Sequence, residues 1–240
     1  MDMAGKFQQG ANFMLDVSPI NRPQSLKDLA YQQIRASLLR GQMDPETVYS
    51  AAQFAGTLGV SRTPVREALL QLVAEGFLVV VEQKGFKLPR FTEKEIKELF
   101  ETRRLIETYV AERLTGALSD DDVKELKANL KQMSSQAAEG DIAGFLETDR
   151  AFHMALIARL DNRLLASIME TIRGQVTMSA MKALAYEGRT DEILREHGTI
   201  LETLRGKDPK KSVRAVVEHL ETTENYVLGR LKRGAEQPRT

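Results

Sequence analysis

Apolar positions recur at helical spacing along most of the chain and fall into a strand-like run only once. From Ser25 the series Leu26, Leu29, Ala30, Ile34 and Leu38 returns every three or four residues. Ser25 and Asp28 have the spacing of a capping box, so a helix starts there and stops at Gly41. Two shorter helices follow between Pro45 and Gly76, AAQFAGTL and TPVREALLQLVAE, joined across Gly59. The run FLVVVEQKGFKLPR is then rich in β-formers on both sides of a Lys84-Gly85 corner and predicts a hairpin. Three helices and a hairpin in this order are the pattern of a winged helix.

Beyond Thr92 long amphipathic helices follow one another. Thr92-x-x-Glu95 and Ser119-x-x-Asp122 are capping boxes, Asp141 and Thr190 are candidate caps, and Pro209 sits at a first-turn position after Asp208. The pattern predicts helices near 93–116, 120–138, 142–160, 163–184, 191–205 and 209–233. The expected fold class is mainly α: an N-terminal winged helix-turn-helix over 24–90, then an all-α antiparallel helical bundle over 92–235. Residues 1–23 show no sustained period and end in a proline, which reads as a flexible arm.

Composition narrows the chemistry. The 240 residues suit two compact units. With no cysteine, disulfides, thiolate-bound zinc and thiol nucleophiles are excluded, so any metal must use His, Asp or Glu. No apolar run approaches the roughly 20 residues of a membrane span, and no basic-then-apolar leader opens the chain, so a cytoplasmic location is expected. Lys plus Arg equals Asp plus Glu at 34 each, so attraction to a nucleic acid has to come from locally placed charge.

Such charge sits on the helix that begins at GVSRTPVREAL. Ala55, Leu58, Val60, Val65, Ala68 and Leu69 have the spacing of a packed helix-turn-helix, whose second helix leads into the major groove with its N-terminal residues. Those residues are Ser61, Arg62, Thr63 and Arg66. A helix N-terminus offers unpaired N–H groups to a phosphate, and arginine binds guanine bidentately. The plainer reading is a capping serine with solvated arginines. VSRTPVREAL, the Glu75-Gly76-Phe77 step and the hairpin tip Gln83, Lys84 and Gly85 resemble the DNA-binding domain of the GntR family of bacterial transcription regulators. The resemblance implies a homodimer on a short palindromic operator. It sets Arg62 and Arg66 near bases, Ser61 and Thr63 near phosphates, and Lys84 or Gly85 in the minor groove. The chain departs from the family at SAAQF, where an acidic residue or an added arginine is usual; Gln53 is the nearest substitute.

In the bundle, the informative residues are polar ones on apolar stripes. Arg103 interrupts Ile96, Leu99, Phe100, Ile106 and Val110, and a permanently charged group facing a core needs a partner or a ligand. Asp149 and His153 lie one turn apart on the stripe of Phe145, Phe152 and Leu156. His197 falls among Ile193, Ile200 and Leu204, and His219 borders Val216 and Leu220. Each histidine taken singly reads as a hydrogen-bonded core residue. Together, one carboxylate and three imidazoles from three helices make a ligand set for zinc, nickel, manganese or iron. Met178 and Met181 read either as pocket lining or as core filler.

The bundle resembles the FCD effector domain of the FadR branch of that family over roughly 92–230, through the Asp-x-x-x-His pair and two separated histidines. The resemblance implies a divalent metal, zinc first, on Asp149, His153, His197 and His219, beneath a cavity for a small carboxylate or sugar acid, with Arg103 as its anion partner. It implies a ligand-responsive transcription regulator, not an enzyme. Two alternatives stand beside it: a metal-dependent hydrolase using the same site, and a regulator whose metal is purely structural.

Overall fold

Capping chemistry sets where the helices begin. In the computed structural model, which describes residues 24–187 and 189–236 and the side chains of 24–178 and 189–232, Ser25 caps α1 (Leu26–Leu39) in a reciprocal box with Asp28. Ser50 does the same for α2 (Ala51–Leu58) with Gln53. Gly59, in the left-handed region at φ 66°, turns the chain into α3 (Arg62–Ala74). Strands β1 (Val79–Val81) and β2 (Gly85–Lys87) pair antiparallel, Val80 opposite Phe86, and a bridge from Phe86 to Tyr49 ties this hairpin to the chain before α2. Ile34, Leu38, Val65, Leu69, Leu72 and Phe77 form the core beneath them. The arm expected over 1–23 and the side chain of Met181 lie outside the described residues. Met178 packs against the winged-helix core.

The bundle follows as α4 (Glu93–Leu114), α5 (Asp120–Glu139), α6 (Ile142–Ala158), α7 (Arg163–Glu187), α8 (Thr190–Leu204) and α9 (Pro209–Glu236). Reciprocal boxes at Thr92 and Ser119 open α4 and α5. Connections of two to five residues leave consecutive helices antiparallel. α4 lies along α9 and α5 along α6, α8 contacts both α5 and α9, and α7 packs on α6, α4 and α9. The expected 116 end of α4 comes early because Thr115 is extended and the Gly116 N–H donates to Leu204 O at 2.8 Å, docking the chain onto the end of α8. Phe100, Leu126, Phe145, Phe152, Met169 and Leu220 fill the interior, each worth about 1.5–3 kcal/mol on burial. The inner faces of α4, α5, α6, α7, α8 and α9 meet there.

Candidate nucleic-acid interface and metal centre

α3 is held from behind. Val65, Ala68, Leu69 and Leu72 are fully buried, which leaves Ser61, Arg62, Thr63 and Arg66 exposed on the opposite, leading side. Ser25, Ser50, Thr92 and Ser119 all spend their hydroxyls on the N–H groups of the helix they cap. Ser61 makes no such bond, so the first turn of α3 keeps free donors and a free hydroxyl facing solvent. Gln53 is committed to the box, its side-chain oxygen accepting from the Ser50 N–H at 2.7 Å. The hairpin turn comes one residue earlier than the expected corner: Lys84 is exposed at the tip, while Gly85 already belongs to β2. A side chain at Gly85 would meet the Tyr49 carbonyl at 2.3 Å, so this glycine lets the wing close on the strand bridge.

All three histidines are buried and their rings cluster, with centroids 4.8–5.4 Å apart. Each Nδ1 is occupied. His153 Nδ1 donates to Glu107 Oε2 at 2.8 Å, His197 Nδ1 to Ile193 O at 2.7 Å, and His219 Nδ1 to Glu196 Oε2 at 2.7 Å. A carbonyl can only accept, so His197 carries a proton on Nδ1 and, as a neutral imidazole, presents a bare Nε2. Glu107 fixes His153 in the same tautomer. Burial would raise the Glu107 pKa, but Arg103 and His153 outweigh it and hold the carboxyl well below its usual range.

The two bare nitrogens, His153 Nε2 and His197 Nε2, then face each other at 2.9 Å, and Asp149 Oδ1 stands 3.1 Å from the second and 3.9 Å from the first. Ligand-capable atoms of His153, His197 and His219 all lie within 4.8 Å of one another. Lone pairs of two neutral rings facing each other repel, and His153 resists taking up the proton that would join them: burial, then the Arg173 charge, lowers its pKa to about 3. Burial and the adjacent His197 push His219 well down too. A cation removes the conflict. Donors each roughly 2.1 Å from a shared ion are roughly 3.0 Å apart at right angles and roughly 3.4 Å apart at tetrahedral angles, so small adjustments fit the set to a divalent first-row metal. Neutral imidazoles with Nδ1–H on a carboxylate or carbonyl are the form in which metal-binding histidines are held.

Asp149 Oδ2 pairs with Arg173 of α7. Although burial acts to raise its pKa, Arg173 and the neighbouring rings hold it well below normal, so a charged oxygen faces the nitrogens. Arg103 Nε donates to Glu107 Oε1 at 2.7 Å, while its Nη1 and Nη2, fully buried, have no hydrogen-bond acceptor among the described residues. Arg189 Nη2 donates to Glu196 Oε1 at 2.6 Å and so holds the acceptor of His219. The structure thus brings together the four residues expected to hold metal, with Arg103 one step behind His153 through Glu107.

Glu107, Arg173, Glu196 and Arg189 do not emerge from the sequence reading. Glu107 and Arg173 carried a usable signal, a charge on a buried stripe four residues from Arg103 and between Met169 and Val176. Glu196 acts across to another helix, which periodicity does not reveal.

The model of the FCD domain matches residues 98–222, and that of bacterial regulatory proteins of the gntR family matches residues 26–88. The chain belongs to the gntR family. It is similar to the HTH-type transcriptional repressor RspR of Escherichia coli, 24% identical over 202 residues, covering 84% of this chain and 89% of RspR. It is also similar to the gluconate operon transcriptional repressor of Bacillus subtilis, 27% identical over 204 residues and 83% of each chain. Among solved structures, E. coli McbR/YncC shares the fold with a TM-score of 0.74 at 22% identity, over 87% of this chain and all of that one. This gntR-family protein is a DNA-binding transcriptional regulator with an FCD effector domain, and not an enzyme. Among the described residues no helix is long and apolar enough to cross a membrane.

Proposed function

We propose that this regulator binds one divalent metal, zinc first, through His153, His197, His219 and Asp149, and that a small carboxylate or sugar acid binding there controls its grip on DNA. The observation that carries the reading is the pair of bare Nε2 atoms 2.9 Å apart beside Asp149. When bound, the metal supplies a Lewis-acidic site for a carboxylate. Arg103 gives the acid a second hold, because among the described residues its buried Nη1 and Nη2 have no acceptor. The repressor named for a gluconate operon among the relatives agrees with an acidic effector.

The cavity beside His153 and Glu107, walled by Val110, Ile157, Ile200 and Val216, has a free volume of about 10 Å³, room for one water molecule. An effector of several atoms that entered this cavity would have to move helices apart, which would link its occupancy to shape. Control requires the acid to prefer one arrangement by roughly 1–3 kcal/mol.

On DNA, Arg62 and Arg66 read bases, Ser61 and Thr63 hold phosphates, and Lys84 reaches the minor groove from a wing shaped by Gly85. A homodimer on a palindromic operator is supported by α4, whose outer ridge is Glu101, Leu105, Tyr109 and Arg113, spaced by four. Leu105 is 70% and Tyr109 51% exposed. Laid antiparallel on a second copy, the ridge sets leucine against tyrosine and glutamate against arginine.

The test is operator binding by fluorescence anisotropy, with zinc-loaded and chelated protein, across a panel of small carboxylates. The reading expects an acid that shifts affinity only in the loaded protein. Equal shifts in both forms would remove the metal from the effector site.

A further inference from the structure

Helix α7 meets the end of the recognition helix at two glycines, where backbone approaches backbone. A Cβ on Gly174 would lie 1.7 Å from the Glu75 carbonyl oxygen, and one on Gly76 would lie 2.5 Å from the Thr171 carbonyl oxygen. Thr171 Oγ1 also donates to Ala74 O at 2.8 Å. Two glycines, one from each unit, thus let the α7 backbone sit directly on the turn that ends α3.

Beside this contact two guanidinium groups lie near the buried Phe77 ring, that of Arg35 of α1 at 4.8 Å and that of Arg150 of α6 at 5.8 Å from its centroid. Glu147 pairs with both arginines, and Arg150 also pairs with Glu170 of α7. The seam is therefore gripped by α6 and α7 together.

The register of those two helices matters. Asp149 immediately precedes Arg150, and Arg173 immediately precedes Gly174. Asp149 and Arg173 are the ion pair at the histidine cluster, whereas Arg150 and Gly174 lie at the seam. Neighbouring helical residues are about 1.5 Å apart along the axis and move as one rigid piece. A shift of the Asp149–Arg173 pair therefore moves both seam contacts. The exposed nose of α3 lies at its other end, about 20 Å away for a 13-residue helix, so a small tilt at Glu75 and Gly76 is enlarged at Arg62.

We propose that Arg150 and Gly174 are positioning residues for DNA reading: they clamp the C-terminal end of α3 to α6 and α7, so that the state of the Asp149–Arg173 pair sets the aim of the recognition helix. This rests on the metal reading of the cluster only for the identity of the signal.

The experiment measures affinity of the full chain for a duplex selected by the wild-type protein from random DNA, with zinc and after chelation. Zinc content and thermal stability are followed alongside. Zinc is expected to change wild-type affinity at least fivefold. Gly174→Ala keeps a good helix former in α7 but forces it off Glu75. Arg150→Gln loosens the same seam without adding bulk, and decides the matter alone should the alanine variant not fold. Both are expected to take up zinc as the wild type does while the response to zinc falls below twofold.

Arg173→Gln needs no metal: in chelated protein it is expected to shift affinity at least fivefold although Arg173 is buried in the bundle. A seam variant that keeps the full zinc response overturns the proposal, as does a wild-type protein that takes up zinc with unchanged affinity. If the wild type takes up no zinc, the metal reading fails by itself. Arg173→Gln then decides: a shifted affinity upholds the seam, an unchanged one overturns it.

Discussion

Glu107→Gln isolates what a carboxylate behind the metal contributes. Glu107 is buried, with Oε1 on Arg103 Nε at 2.7 Å and Oε2 on His153 Nδ1 at 2.8 Å. Glutamine has almost the same shape, but its single oxygen can accept from only one of these donors, and its NH₂ meets the other donor head-on. If the oxygen stays with Arg103, His153 loses the acceptor that fixes its tautomer, and metal affinity should fall about 10–100-fold, or about 1.4–2.7 kcal/mol. Independently of metal, Arg103 loses its charged partner in the interior. Breaking a buried pair costs about 3–5 kcal/mol, and the retained hydrogen bond puts this case near the lower end. Zinc affinity by competition with a chromophoric chelator reads the first effect, and thermal unfolding of chelated protein reads the second. A variant that binds zinc within twofold of wild type and melts at the wild-type temperature would refute the assignment of Glu107.

Replacing Arg62 or Arg66 by alanine should weaken binding to the selected operator by about 1–3 kcal/mol each and relax base preference, in gel-shift titrations at fixed salt. Operator affinity should also fall steeply as salt rises, through counterion release; a flat response would count against the phosphate contacts. Metal-free protein should lose stability as pH falls from about 6.5 towards 4, on the order of 1 kcal/mol per pH unit from His153 alone. The sign follows from a folded-state pKa of about 3: the unfolded chain takes up a proton that the folded one refuses. The lowered pKa values of Asp149 and Glu107 act in the same direction, their contribution being lost as pH falls further. Urea titrations across that range check it. Leu105→Glu should give a monomer in sedimentation velocity if α4 is the dimer face.

The helices were legible because apolar periodicity and side-chain caps are local. Ser25, Ser50, Thr92 and Ser119 start helices through bonds made within three residues. The inward-facing Arg103, Asp149 and three histidines were legible for the same reason, since a polar residue on an apolar stripe breaks a short pattern. What joins them was not. Glu196 reaches His219 from another helix, and Arg173 reaches Asp149 across 24 residues of chain. The contact of Gly174 with Glu75 spans the two units and leaves no mark on the period of either. Ser61 read in the sequence either as a capping serine or, through the family resemblance, as a phosphate contact; that its hydroxyl makes no cap bond was not legible there.

Metal content of the purified chain, by native mass spectrometry and elemental analysis, tests the histidine cluster most directly. The expected result is one first-row divalent ion per chain, retained through gel filtration, and sharply reduced in His197→Ala and His219→Ala proteins that still fold. Well-folded wild-type protein that carries no metal and takes up none from added zinc would contradict it.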